Sequence, residues 1–232
     1  VRAQWRPQML VWRRLLRVGL PAGGEFLLMF VIMAVLYWVL RPFGADAQAG
    51  FGIGMRIMQS MFLPAMAVAF AAAPIVGQNF AARKFARVRE TFALSTLIGS
   101  CIMVFMTFFC QWGSAWVLAG FTKDPMAISV GTQYLQIISW NFVANGFVFT
   151  CSAVFQGLGN TVPAVVSSAS RLVSFVLPVL WLSTQPHFEM IQVWYISVAS
   201  VASQAVFSLW LVRRELRLRL AAPAPVPAQE PV

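Results

Sequence analysis

The chain has 232 residues, of which 59% are hydrophobic and 10% charged, with a formal net charge of +10. A soluble domain averages roughly 25% charged residues, so this composition excludes a soluble fold and points to a polytopic membrane protein. The excess of bases does not indicate nucleic acid, because they lie in clusters at the ends of apolar runs rather than along one soluble face.

Residues 1–17 interleave Trp5, Leu10, Trp12 and Leu15 with Arg2, Arg6, Arg13, Arg14 and Arg17. This pattern predicts a basic amphipathic segment on an anionic membrane surface. The chain starts with Val rather than Met, and something upstream is expected to be missing. The first span is predicted over 18–40, a stretch too apolar and too long for a signal peptide. It carries one charge, Glu25. The second span is predicted over 49–76, with Pro64 and Pro74 expected to bend it, followed by a basic turn holding Arg83, Lys84, Arg87 and Arg89. The third covers 91–118, the fourth 127–155, the fifth 163–183 and the sixth 190–212. The segment 215–232 reads as a cytoplasmic tail, disordered by its Pro/Ala composition from about 221. The fold class is therefore an all-α, six-helix transmembrane bundle.

Six spans put both ends on one side. The N-terminus, the second–third loop and the C-terminal flank hold 13 Lys and Arg residues, while the opposite loops hold only Arg41 and Lys123. This bias places both termini in the cytoplasm, with the inner (plasma) membrane as location.

Polar residues recur at helical spacing inside the spans, among them Thr107 and Gln111, Asn141, Asn145, Ser152 and Gln156, and Ser200, Gln204 and Ser208. For the hydroxyl residues, packing between helices is sufficient explanation. Glu25, Arg171, Asn141 and Arg56 require more, because an intramembrane charge costs ~2.5–3.5 kcal/mol on the insertion scale. At ~1.5 Å per residue, Glu25, Asn141 and Arg171 each lie roughly 10 Å from the cytoplasmic side, whereas Arg56 lies near the other. Two explanations of Glu25 stay open: an ion pair with Arg171 that only joins helices, or a carboxylate that binds and releases a proton or cation. Cys101, Cys110 and Cys151 lack metal or redox spacing, and His187 sits in a loop. The sequence has no Walker A run, no H-E-x-x-H and no nucleophile–base arrangement within spans. No enzymatic activity, metal or cofactor is expected, and any energy must come from an ion gradient.

Four motifs together resemble one known family. They are G-L-P at 19–21 with Glu25 close behind, A-Q-A-G-F-G-I-G-M-R at 47–56, A-A-P-I-V-G-Q-N-F-A-A at 72–82, and F-Q-G-L-G-N-T-V-P at 155–163. In combination they are similar to the carboxy-terminal lobe of multidrug and toxic compound extrusion (MATE) transporters, over about residues 17–214. The resemblance implies export of drugs and organic cations in exchange for H+ or Na+, by two six-helix lobes around a cleft. Glu25 would then be the ion-coupling residue, with Asn141, Asn145, Arg171, Arg56 and Gln59 lining the cleft or supporting the coupling. The sequence departs from the family in two places: Glu25 follows the Pro by one turn rather than two, and Asn141 and Asn145 stand where some members carry an acid. The second departure favours H+ over Na+. Partners implied are membrane lipid and either a missing amino-terminal lobe or a second copy of the chain. Two other readings remain: a lipid-linked sugar flippase using Arg56 and Arg171 on a pyrophosphate headgroup, and a non-transporting structural subunit held by a Glu25–Arg171 pair.

Overall fold

The structure, a computed structural model, describes residues 9–220. The first part of the basic segment and the Pro/Ala-rich tail lie outside these residues. Seven α-helices make up the described chain: α1 Met9–Leu40, α2 Ala45–Ala81, α3 Phe85–Ala119, α4 Pro125–Ile138, α5 Phe142–Gly157, α6 Val162–Ser183 and α7 Met190–Leu220. Six helical stretches are long and apolar enough to cross a membrane, with α4 and α5 together forming the fourth. No strand occurs among the described residues.

The helices run past the apolar windows at most ends. α1 begins at Met9, inside the basic segment, and α7 continues through Arg213, Arg214, Arg217 and Arg219. Arg is nearly as good a helix former as Leu, so leaving the apolar layer gives the backbone no reason to stop. α2 passes through both Pro64 and Pro74 without losing helical assignment.

The fourth span is broken where hydropathy gives no warning, by a 3₁₀ turn at Ser139–Asn141. A break inside a membrane frees backbone carbonyls that must find donors within the protein. The polar stripe of α3 supplies them. Thr107 Oγ1 donates to Ser139 O at 2.9 Å, and Gln111 Nε2 donates to Gln136 O and to Ser139 Oγ, both at 2.8 Å. The Asn141 side chain then sits in the bundle interior, 2% exposed.

α2 is the spine of the bundle, packing against α3, α4 and α5, while α7 lies against α5 and α6. Glycines allow the closest approaches. A Cβ on Gly50 would lie 2.6 Å from Ala127 O of α4, and one on Gly157 would lie 2.6 Å from Ala73 O of α2. The core between these helices is aromatic and sulfur-rich. Phe51 stacks on Trp194 at 5.5 Å and meets Tyr134 edge-on at 5.1 Å, and the Tyr134 hydroxyl donates to Met55 Sδ at 2.7 Å.

α1 stands apart from that spine. It packs along α6 and touches α2 at few points, so a space opens between α1 and the rest of the bundle. Its N-terminal half is tied down by Thr161, whose Oγ1 donates to Val18 O at 3.0 Å. The α5–α6 turn that carries Thr161 is held in turn. Gly159 takes φ +70°, a conformation that costs a glycine little, and Asn160 Nδ2 donates to Glu215 Oε1 of α7 at 2.8 Å.

Candidate functional site

Glu25 lies a little over one turn beyond Pro21, on the side of α1 that faces the space left by the poor α1–α2 contact. That space is a cavity bounded by α1 and four other helices, α2, α5, α6 and α7. Glu25 and Met29 come from α1, Met66 from α2, Asn145, Ser152 and Gln156 from α5, Ser168 and Arg171 from α6, and Gln204 from α7. Most of its wall is apolar.

The carboxylate is held by hydroxyls. Ser152 Oγ donates to Glu25 Oε1 at 2.8 Å, and Ser168 Oγ approaches the same oxygen at 3.4 Å. Gln204 Nε2 donates to Ser168 Oγ, also at 3.4 Å, which orients that hydroxyl. Hydrogen bonds to an ionised acceptor are worth ~1.5–3 kcal/mol, and the 2.8 Å contact is the stronger of the two by geometry. Such a site accommodates charge without neutralising it, and leaves Oε2 for an ion or a proton.

The Glu25–Arg171 ion pair, one of the two explanations the sequence left open, is absent among the described residues, where the ion pair formed is Arg219–Glu215. Arg171 nevertheless lines the same cavity, and its Nε is buried without a partner among the described residues. Of the three residues grouped by depth, Glu25 and Arg171 line one cavity, together with Asn145. Asn141 lines an adjoining cavity together with Asn145 and Arg171. Arg56 and Gln59 are not brought there. Both are exposed on α2 and line neither cavity; it is Met55 and Met58 of that stretch that turn inward, to the Tyr134 hydroxyl.

Two residues at the carboxylate escape a reading based on packing alone. Ser152 belongs to the Asn145–Ser152–Gln156 stripe, and that stripe was signal enough to place it beside Asn145. Ser168 is three residues before Arg171, so the same helical face points both into the cavity. What no local pattern gives is the partnership with a helix more than a hundred residues away.

The MatE family model matches residues 21–182 of the chain. Multidrug export protein MepA of Staphylococcus haemolyticus is 26% identical over 220 residues, covering 91% of this chain and 47% of MepA. A MOP superfamily transporter from Pyrococcus furiosus, described as having a binding pocket of reverse polarity that suggests a different function, superposes with a TM-score of 0.87 at 21% identity. That superposition covers 95% of this chain and 50% of the other. A multidrug resistance MATE family transporter in an outward-facing conformation gives a TM-score of 0.85 at 20% identity, over 94% of this chain and 49% of that one. The chain spans about half the length of the relatives it matches.

Proposed function

The chain belongs to the MatE family, and on that premise we propose that it is one lobe, the carboxy-terminal six-helix half, of a secondary active exporter of drugs and organic cations. In this reading efflux is driven by antiport with H+, and Glu25 is the group that takes up and releases the coupling ion. Residues 18–214 form the lobe, set in the plasma membrane with both termini cytoplasmic, as the distribution of Lys and Arg supports. The other half of the transporter is an amino-terminal lobe or a second copy of this chain.

One observation carries the reading. Glu25 faces an internal cavity, bonded to two serine hydroxyls and, among the described residues, to no guanidinium. A carboxylate whose job was to fasten helices would be expected to hold Arg171, which lines the same cavity. The lack of an acid at Asn141 and Asn145 supports H+ over Na+, since Na+ is favoured by several charged oxygens in one shell. The pair of arginines that a pyrophosphate headgroup would need is split, with Arg171 in the cavities and Arg56 exposed on α2. That separation weighs against the lipid-linked sugar flippase.

The test is Glu25→Gln in the complete transporter, read as gradient-driven efflux of a cationic dye from cells and as amount of protein in the membrane. Expected is efflux reduced to the level of cells lacking the transporter, with unchanged membrane content, since removing a charge eases insertion. Wild-type efflux by this variant would take Glu25 out of the mechanism.

A further inference from the structure

Further along α1 from Glu25, a second cavity shares Met29, Asn145 and Arg171 with the first but has the opposite chemistry. Its polar lining consists of the Arg171 guanidinium, the Trp194 indole, the Asn141 and Asn145 amides and the Tyr134 and Ser197 hydroxyls, with no carboxylate among the lining residues. Every one of these groups can donate a hydrogen bond.

Two of the donors are buried with nothing to donate to. Trp194 is 0% exposed, and both its Nε1 and Arg171 Nε lack an acceptor among the described residues. Unpaired buried donors are rare in folded proteins, and each one costs free energy until it finds an acceptor. The nearby carboxylate bonds to neither of them among the described residues, its hydrogen bonds coming from Ser152 and Ser168. The Trp194 ring is fixed by stacking on Phe51 at 5.5 Å and by edge contact with Tyr134 at 4.8 Å, so its N–H is held in position. The Tyr134 hydroxyl donates to Met55 Sδ at 2.7 Å and Met58 Sδ at 3.3 Å, weak acceptors that it can exchange for a better one.

We propose that this second cavity binds a small monovalent anion, either a free halide or the carboxylate of a carboxylated substrate, through Arg171 and the Trp194 N–H. The lobe interior would then be polarised, with an acceptor end at Glu25 and a donor end at Trp194, and Arg171 between them. This inference rests on the donor set and not on the transport reading.

The test is thermal unfolding of the purified full chain in detergent, with sodium chloride, bromide or acetate replacing a bulky sulfonate at constant ionic strength. A ligand that binds only the folded state raises the midpoint saturably. Expected is such a rise with chloride and bromide, which assigns a free halide, or with acetate alone, which assigns a substrate carboxylate. Trp194→Phe keeps the ring and removes the N–H, and should weaken the apparent affinity about tenfold or more; Arg171→Gln should remove the response. Should Arg171→Gln fail to fold, Trp194→Phe and Asn141→Leu carry the comparison. Equal midpoints in all four salts, or wild-type affinity in Trp194→Phe, would overturn the proposal. Binding is read on the chain itself, so this result and the efflux of Glu25→Gln fail independently.

Discussion

Gly157→Ala is a severe test of the packing that sets the carboxylate site. Gly157 ends α5, less than two turns from the polar groups: Ser152 lies five residues before it and Gln156 is its neighbour. An added Cβ would meet Ala73 O at 2.6 Å, and Val76 Cβ and Cγ1 at 2.8 Å each. The carbonyl lies inside α2, short of its C-terminal end, and cannot rotate away, so α5 itself must move by roughly the missing 0.8 Å of a normal ~3.4 Å contact. Overpacking of this kind costs ~1–3 kcal/mol, against a helix-propensity gain for Ala over Gly of at most ~1 kcal/mol. Gly23→Ala provides the control, since nothing lies within 4 Å of its added Cβ. There only the propensity gain applies, ~0.5–1 kcal/mol in favour of the variant. The two variants should therefore differ by about 2 kcal/mol in a denaturant titration of detergent-solubilised protein, Gly157→Ala being the less stable. In cells it should also lose efflux, because the shift carries Ser152 away from Glu25. Equal stability of the two variants would mean that α2 and α5 do not approach as described, and the geometry around Glu25 would fall with it.

Three further outcomes are expected. Ser152→Ala should reduce gradient-driven efflux about tenfold or more and Ser168→Ala less, since the lost bonds to Glu25 are 2.8 Å and 3.4 Å long; rates of dye export from membrane vesicles would show the order. Asp124→Ala removes the side-chain cap that accepts from Met126 N and Ala127 N at the start of α4. It should lower stability by ~1 kcal/mol in the same denaturant titration, with efflux unaffected. Single cysteines introduced at Lys84 and at His187 should be labelled by a membrane-impermeant maleimide from opposite sides, the second from outside intact cells. Labelling of both from one side would refute the orientation read from the basic clusters.

Much of the architecture is dictated by local chemistry. Apolar runs of membrane length with charges confined between them leave the backbone no choice but helix, because lipid offers no other partner for its polar groups. Glu25 and Arg171 were also legible together, since depth along a helix follows from counting residues, whereas Asn141, counted to the same level, lines only the adjoining cavity. The break at Ser139–Asn141 was not. Its sequence is as helical as its surroundings, and only the donors of Thr107 and Gln111 on another helix make the freed carbonyls tolerable. Arg56 and Gln59 illustrate the same limit from the other side: their depth could be counted, but the face of α2 that they occupy depends on which face Tyr134 and Trp194 claim.

What the chain encodes by itself, then, is the number of spans, their helical character and the level at which each polar group sits, all set by the free energy of placing single residues in or out of hydrocarbon. Tertiary structure alone decides the azimuth of each helix and the identity of each partner. It is packing around the α2 spine that leaves α1 resting on α6, opens the cavity beside Glu25, and gives that carboxylate two serines in place of an arginine. Those choices are differences between competing contacts across the bundle, and no residue carries them in its own neighbourhood.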